Sequence, residues 1–104
     1  MMRFKIVYNP EVFNDIQQAV DWYNRQQPKL GIRFFSVLKK HLNSLENSAM
    51  HFAVRYDDVR CMPIKKFPYM IHYRIHNEFV MVEAILSTHR NPEFWGERTK
   101  KTKK

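Results

Sequence analysis

Apolar residues alternate along Arg3–Tyr8, with Phe4, Ile6 and Tyr8 on one side and Arg3, Lys5 and Val7 on the other, the two-residue repeat of a strand. The repeat then lengthens. Asn9-Pro10-Glu11 is a helix start: Asn caps free amides, Pro at the first helical position loses no needed donor, and the acid suits the positive end of the helix. From about residue 10 to 26, Phe13, Ile16, Val20 and Tyr23, flanked by Val12 and Ala19, recur at steps of three and four and predict a helix with one buried face. Pro28 stops it, because the residue before a proline resists helical dihedrals, so the chain turns around Gln26–Gln27 and restarts. The second helix, to about Leu45, carries Leu30, Phe34, Leu38 and Leu42 as its stripe, with Phe35 and Leu45 alongside and Lys29, Arg33, Lys39 and Lys40 largely elsewhere. So short a connection predicts an antiparallel helical hairpin. Gly31 serves either close packing of the two helices or flexibility near the turn.

Residues 46–58 read as a connecting loop, followed by a strand near Val59–Ile64. FPYMIHYRI, Phe67–Ile75, alternates again, with Tyr69, Ile71, Tyr73 and Ile75 on one face and Met70, His72 and Arg74 on the other. His76-Asn77-Glu78 supplies a turn into FVMVEAIL, which is apolar on both faces except at Glu83, as a central strand would be. A carboxylate there needs a partner, and Arg74 or Lys5 on another strand could provide one. The fold class expected is α+β, in the order β-α-α-β-β-β, with the helical hairpin packed on one face of a four-stranded sheet and the other face left for a partner.

A chain of 104 residues fits one domain, and 44% hydrophobic residues with only two glycines suffice for a packed core. The single Cys61 cannot form an internal disulfide, and no apolar run approaches the roughly 18 residues of a membrane span. MMRFKIVYNP offers no apolar stretch of a signal peptide, so a reducing cytoplasm and no membrane association are expected. The net charge of +8 is uneven: Arg98, Lys100, Lys101, Lys103 and Lys104 supply five of its units. A domain over residues 1–97 with a basic, disordered tail over 98–104 follows, and the tail has non-specific attraction for polyanions.

The element order, together with DIQQAVDWYNRQ, the LG turn into the second helix, RYDDVRCMPIKKFPYMIHYRI and STHRNPEFWGER, resembles the RelE/ParE superfamily of bacterial type II toxins over residues 3–98. The resemblance implies a small cytoplasmic toxin held inactive by a co-expressed antitoxin, and two mechanisms. RelE-like members cut messenger RNA on the ribosome; ParE-like members, of the plasmid-stabilisation type, inhibit DNA gyrase and cut nothing themselves. RNA cleavage needs a base, a leaving-group acid and cations near the phosphoryl oxygens. Set beside RelE-like nucleases, this chain has Met70 where an arginine belongs, Arg90 at a matching basic position, and Trp95 near a tyrosine that moves protons. Neither a thioether nor an indole can replace those groups. The departures favour the ParE-like reading.

If the chain is a nuclease, His89, Arg90, Arg74, Lys65 and Lys66 are its catalytic set. Otherwise His89 is a surface residue packed by Trp95, and Arg90 pins the strand end. Target contact is expected from Arg60, Arg74, His89, Arg90 and Trp95, and antitoxin contact from Trp22, Tyr23, Phe34 and Leu38. A third reading, a non-toxic module that binds polyanions, follows from charge alone. No metal or other cofactor is expected: His72 and His76 share a strand face but stand roughly 13 Å apart along it. Cys61 has basic neighbours in Arg60 and Lys65 but no base to activate it.

Overall fold

The computed structural model describes residues 3–100. Lys5–Tyr8 forms β1, Glu11–Gln26 forms α1 and Leu30–Ser48 forms α2. A single 3-10 turn, Ala49–His51, leads to β2 (Val54–Tyr56), β3 (Val59–Pro63), β4 (Tyr69–His76), β5 (Phe79–Ser87) and α3 (Pro92–Thr99). The start of α1 uses the expected chemistry, since the Asn9 side chain accepts from the Glu11 amide at 3.0 Å. Between the helices Gln27 is extended and Lys29 takes a left-handed conformation, φ 71°, so the break falls where Pro28 demands it. The glycine next to it is there for space. A Cβ on Gly31 would collide with the Val20 carbonyl of α1, and the Gly31 amide donates to the Asn24 side chain at 2.7 Å.

The sheet has five strands in the order β1-β5-β4-β3-β2, with β1 parallel to β5 and every other pair antiparallel. This corrects the four-stranded expectation within an unchanged α+β class: the presumed loop 46–58 contains the end of α2, the 3-10 turn and β2, which turns back on β3 through Asp57, φ 49°. The hairpin covers one face. Val12, Ala19 and Tyr23 of α1 and Phe34, Leu38, Leu42 and Leu45 of α2 meet Met62, Ile71, Tyr73, Val80, Val82 and Ile85 of the sheet in one core. Tyr73 anchors that core by donating its hydroxyl to the Ala49 carbonyl at 2.7 Å.

The opposite face is not left open along its whole length. Cys61, Met70, Ala84 and Leu86 form a second, smaller core capped by Trp95 from α3. Asn91 starts this helix, its side chain accepting from the Glu93 amide at 2.7 Å, with Pro92 at the first position. The polar run before Phe94 is thus a turn and a helix cap. α3 runs through Thr99, so the fold extends past the boundary expected at residue 97; Arg98 is held by carboxylates rather than solvated, and the rest of the basic tail, 101–104, lies outside the described residues.

One irregularity sets the faces of β5. His72 pairs with Ala84 and Tyr73 with Val82, so Glu83 has no opposite residue in β4 and forms a bulge. Side-chain parity reverses across it: Val80 and Val82 point into the hairpin core, whereas Ala84 and Leu86 point away.

Candidate functional site

Alternation from Val82 puts the Glu83 carboxylate on the α3 side of the sheet, against Arg74 of β4, and the bulge keeps Ala84 on that same side. The Arg74 guanidinium bonds Glu83 at 3.1 Å, Asp58 at 2.5 Å and the Thr99 carbonyl at 2.8 Å. Asn9 donates to the other Glu83 oxygen at 3.3 Å. Burial alone pulls the Arg74 pKa down, but the bonds to Asp58 and Glu83 outweigh it and leave the group raised. Arg74 therefore ties a turn, a strand and the end of α3 together, and its residue is only 6% exposed. Of the two partners proposed for Glu83, Arg74 is the one present; Lys5 pairs with Glu78 at 3.5 Å.

Beside it lies a buried histidine. His72 is fully enclosed, with Nδ1 2.8 Å from the Tyr56 hydroxyl and 3.4 Å from Cys61 Sγ, its ring edge-on to Trp95 at 5.3 Å. Burial, with Arg55 and Arg98 adding to it, pushes the imidazole down to about 4, so it is neutral at physiological pH. Burial likewise pushes the Cys61 thiol up to about 11 against the pull of Arg55. A neutral imidazole beside an un-ionised thiol is packing and not a nucleophile–base pair. Among the described residues, no group of three or more His, Cys, Asp or Glu is placed to hold a metal ion.

The groups proposed for RNA chemistry do not form one site. Met70 is buried under Trp95, and Arg55 of β2 reaches in with Nη1 3.8 Å from its sulfur and its guanidinium carbon 5.8 Å from the Trp95 ring. Trp95 is itself 8% exposed, so it cannot be a target-facing residue; Arg74 is excluded by the same burial and by its three partners. Arg60 is turned to the Phe52 carbonyl at 2.6 Å, pinning the segment after the 3-10 turn. His89, Lys65 and Lys66 remain exposed, and Arg90 is exposed with its guanidinium 4.4 Å above the Phe94 ring. A bond from the Thr88 amide to the Pro68 carbonyl, 2.8 Å, brings the end of β5 beside the β3–β4 turn, so these four residues share one end of the sheet.

The antitoxin-facing set needs a similar correction. Tyr23, Phe34 and Leu38 are core residues that stack on Phe67 and Tyr69 or lie beneath the helices, because the apolar stripe that identified them is the stripe the sheet covers. Trp22 stays at the surface, 48% exposed, as do Phe13 of α1 and Ile32 and Phe35 of α2. Two further features went unread in the sequence. Arg55 lay in the expected loop, because Val-Arg-Tyr is too short to show a period and Asp57-Asp58 lacks the glycine of a hairpin signature. The clasp of Arg98 on Asp15 at 2.7 Å and 2.8 Å, with Glu11 at 2.9 Å, joins residues over eighty positions apart and has no local signal.

Beside this clasp runs a groove of about 510 Å³ between α1 and α3, floored by the end of β5 and lined by Asp15, Trp22, Arg25, Ser87, Arg90 and Phe94 among others. A smaller hollow of about 300 Å³ lies around Arg74, Phe79 and Met81.

The ParE toxin of the type II toxin–antitoxin system parDE is the family that matches this sequence, over residues 6–92. No curated protein matches it. Among solved structures, the chain is similar to one from a chromosomal ParDE toxin–antitoxin system of P. aeruginosa, with a TM-score of 0.73 and 15% identity, over 82% of this chain and 96% of that one. At that identity the likeness is one of fold.

Proposed function

The chain belongs to the ParE toxin family, and from that premise we propose that it is the growth-inhibiting partner of a type II toxin–antitoxin pair, acting on DNA gyrase in the bacterial cytoplasm and neutralised by a cognate antitoxin. The family match over residues 6–92 is the observation that carries this reading. The chemistry of the sheet supports a toxin that does not cut. A thioether stands under Trp95 at the position compared with a catalytic arginine, and Arg74 is committed to Asp58, Glu83 and Thr99. What is left at the sheet end, Lys65, Lys66, His89 and Arg90, is a basic rim suited to an acidic or phosphate-bearing target surface. The antitoxin sits against the exposed apolar residues of the helical hairpin, among them Phe13, Trp22, Ile32 and Phe35.

The test is induced expression with and without the product of the neighbouring gene, paired with a supercoiling assay on purified gyrase. Growth arrest that the neighbour relieves, with loss of supercoiling and intact messenger RNA, is the expected outcome. Messenger cut in an isolated translation reaction, and spared when His89 is replaced by Ala, would overturn the gyrase target in favour of a nuclease.

A further inference from the structure

Charge is distributed unevenly along the strands. Their directions put the β2–β3 and β4–β5 turns at one end of the sheet, with Asp57, Asp58 and Glu78, and the β3–β4 turn and the exit of β5 at the other, with Lys65, Lys66 and Arg90. At the first end cations and carboxylates pair, Lys5 with Glu78 at 3.5 Å and Arg74 with Asp58. At the second, no carboxylate of the described residues comes within ion-pair reach of Lys65, Lys66, Arg90 or Lys40 of α2.

The backbone holds these cations in place. Ile64–Phe67 is a tight turn, the Phe67 amide donating to the Ile64 carbonyl at 3.3 Å, and Lys65 and Lys66 form its tip. Lys66 is left-handed, φ 72°, a conformation that glycine or asparagine adopts at less cost, so charge stands at the tip against the local steric preference. The turn is fixed on two sides. The Thr88 amide donates to the Pro68 carbonyl at 2.8 Å, and the Lys65 amide donates to Nε2 of His41, the residue after Lys40, at 3.3 Å. Arg90 closes a second tight turn, its amide on the Ser87 carbonyl at 3.1 Å, and its exposed guanidinium rests 4.4 Å from the centre of the Phe94 ring.

The surroundings select the partner. A tight protein–protein contact is built on a buried apolar or aromatic anchor, whereas the exposed residues that follow β5 here, Thr88, His89 and Asn91, are polar. A single-stranded nucleic acid needs open rings on which bases stack. At this end Phe67 and Tyr69 stack within the core, Trp95 is enclosed and Phe94 lies under Arg90, while Trp22 stands on α1, on the other wall of the groove. Fixed cations with short polar neighbours, and neither anchor nor platform, match the phosphates of a duplex, which position a protein without reading bases.

We propose that this end of the sheet binds the phosphate backbone of double-stranded DNA through Lys40, Lys65, Lys66 and Arg90, independently of base sequence. The inference deepens the function proposed above and rests on its placing the target at this rim: the toxin then meets gyrase where the enzyme holds DNA. Affinity for the duplex belongs to the chain itself and is measured without gyrase.

The test follows the anisotropy of a labelled duplex of about 20 base pairs as the full chain is added, between about 50 and 200 mM salt. The lysines at the end of the chain attract polyanions too, so the reference carries Lys101→Gln, Lys103→Gln and Lys104→Gln. In that reference, log affinity falls against log salt with a slope of about −3.6, about −0.9 for each of four phosphates, and unrelated sequences bind alike. Adding Lys65→Gln and Arg90→Gln lowers the slope by about two and binding at about 0.1 M salt by about a hundredfold, with Tm nearly unchanged. Binding lost in the reference but kept when only the rim is neutralised would overturn the proposal, as would tighter binding of the single strand or equal binding of polyglutamate. A chain that inhibits supercoiling yet ignores the duplex refutes this inference alone. Duplex binding with gyrase unaffected supports it and refutes only the gyrase target.

Discussion

His72 shows how one enclosed side chain sets a pH limit on the fold. Its imidazole is held near 4 inside the protein and returns to about 6.5 on unfolding, so between those values the unfolded chain binds the extra proton. Stability is therefore full above about pH 6.5, falls as the pH drops through the window, and levels off below about 4, a loss on the order of 3 kcal/mol from this residue. Urea unfolding at pH 7 and pH 4.5 should show that slope, and His72→Phe, which cannot titrate, should flatten it. A slope unchanged in the variant would place the acid sensitivity elsewhere. Gly31 makes a steric demand of the same local kind. With the Val20 carbonyl where a methyl would go, Gly31→Ala must push α1 and α2 apart, an overpacking cost of about 1–3 kcal/mol and a drop in Tm of several degrees, read by thermal unfolding. Had the glycine served only flexibility, alanine in a helix would have stabilised it.

At the scale of elements, α3 has too few buried residues to hold itself in place. Trp95 and Thr99 are its only buried residues, and its position depends on ion pairs at its far end: Arg98 to Asp15 and Glu11, and the Thr99 carbonyl to Arg74. Those contacts reach α1 on one side of the sheet and β4 on the other, so α3 works as a clamp across the edge of β5. Cys61 reports on it. Buried under Trp95 with its thiol pushed up to about 11, it should resist thiol reagents at neutral pH in the native protein. Arg98→Ala should raise the labelling rate without unfolding the hairpin core. Trp95→Ala should both expose the thiol and cost about 3–5 kcal/mol. Labelling that stays at the wild-type rate in Arg98→Ala would mean the clamp does not hold the helix. Truncation from Asn91 onward uncovers Cys61, Met70, Ala84 and Leu86 together, so it should abolish growth inhibition and destabilise the fold at the same time.

Across the whole molecule, charge and apolar surface divide by region. The basic rim, Lys65, Lys66, His89 and Arg90, sits at one end of the sheet, whereas Phe13, Ile32 and Phe35 stay exposed on the helical hairpin and Trp22 lines the groove between α1 and α3. A toxin that inhibits through that rim needs its charge and not a proton relay. His89→Ala should leave growth inhibition nearly intact, while Lys65→Glu with Arg90→Glu should weaken it markedly at unchanged Tm, both read by colony survival after induction. Loss of inhibition by a factor of about 10²–10⁴ in His89→Ala alone would instead mark an acid–base catalyst.

Periodicity in the sequence determined most of the elements: the Asn9-Pro10 start, the break at Pro28, the stripe of α2, and the two faces of β4 follow from local sterics and from which positions repeat. The α+β class and the superfamily resemblance came with that order. Three things were decided only by tertiary structure. The strand β2 is three residues long, too short for any period, and exists because β3 offers it an edge. The bulge at Glu83 breaks the alternation that sequence reading assumes, since a side chain's face depends on pairing with β4 and not on its own strand. The residues chosen for contact were divided the same way. Tyr23, Phe34 and Leu38 have the apolar character of an interface, and Arg74 and Trp95 that of a functional site, yet each is enclosed by segments distant in the chain, and burial is a property of that enclosure.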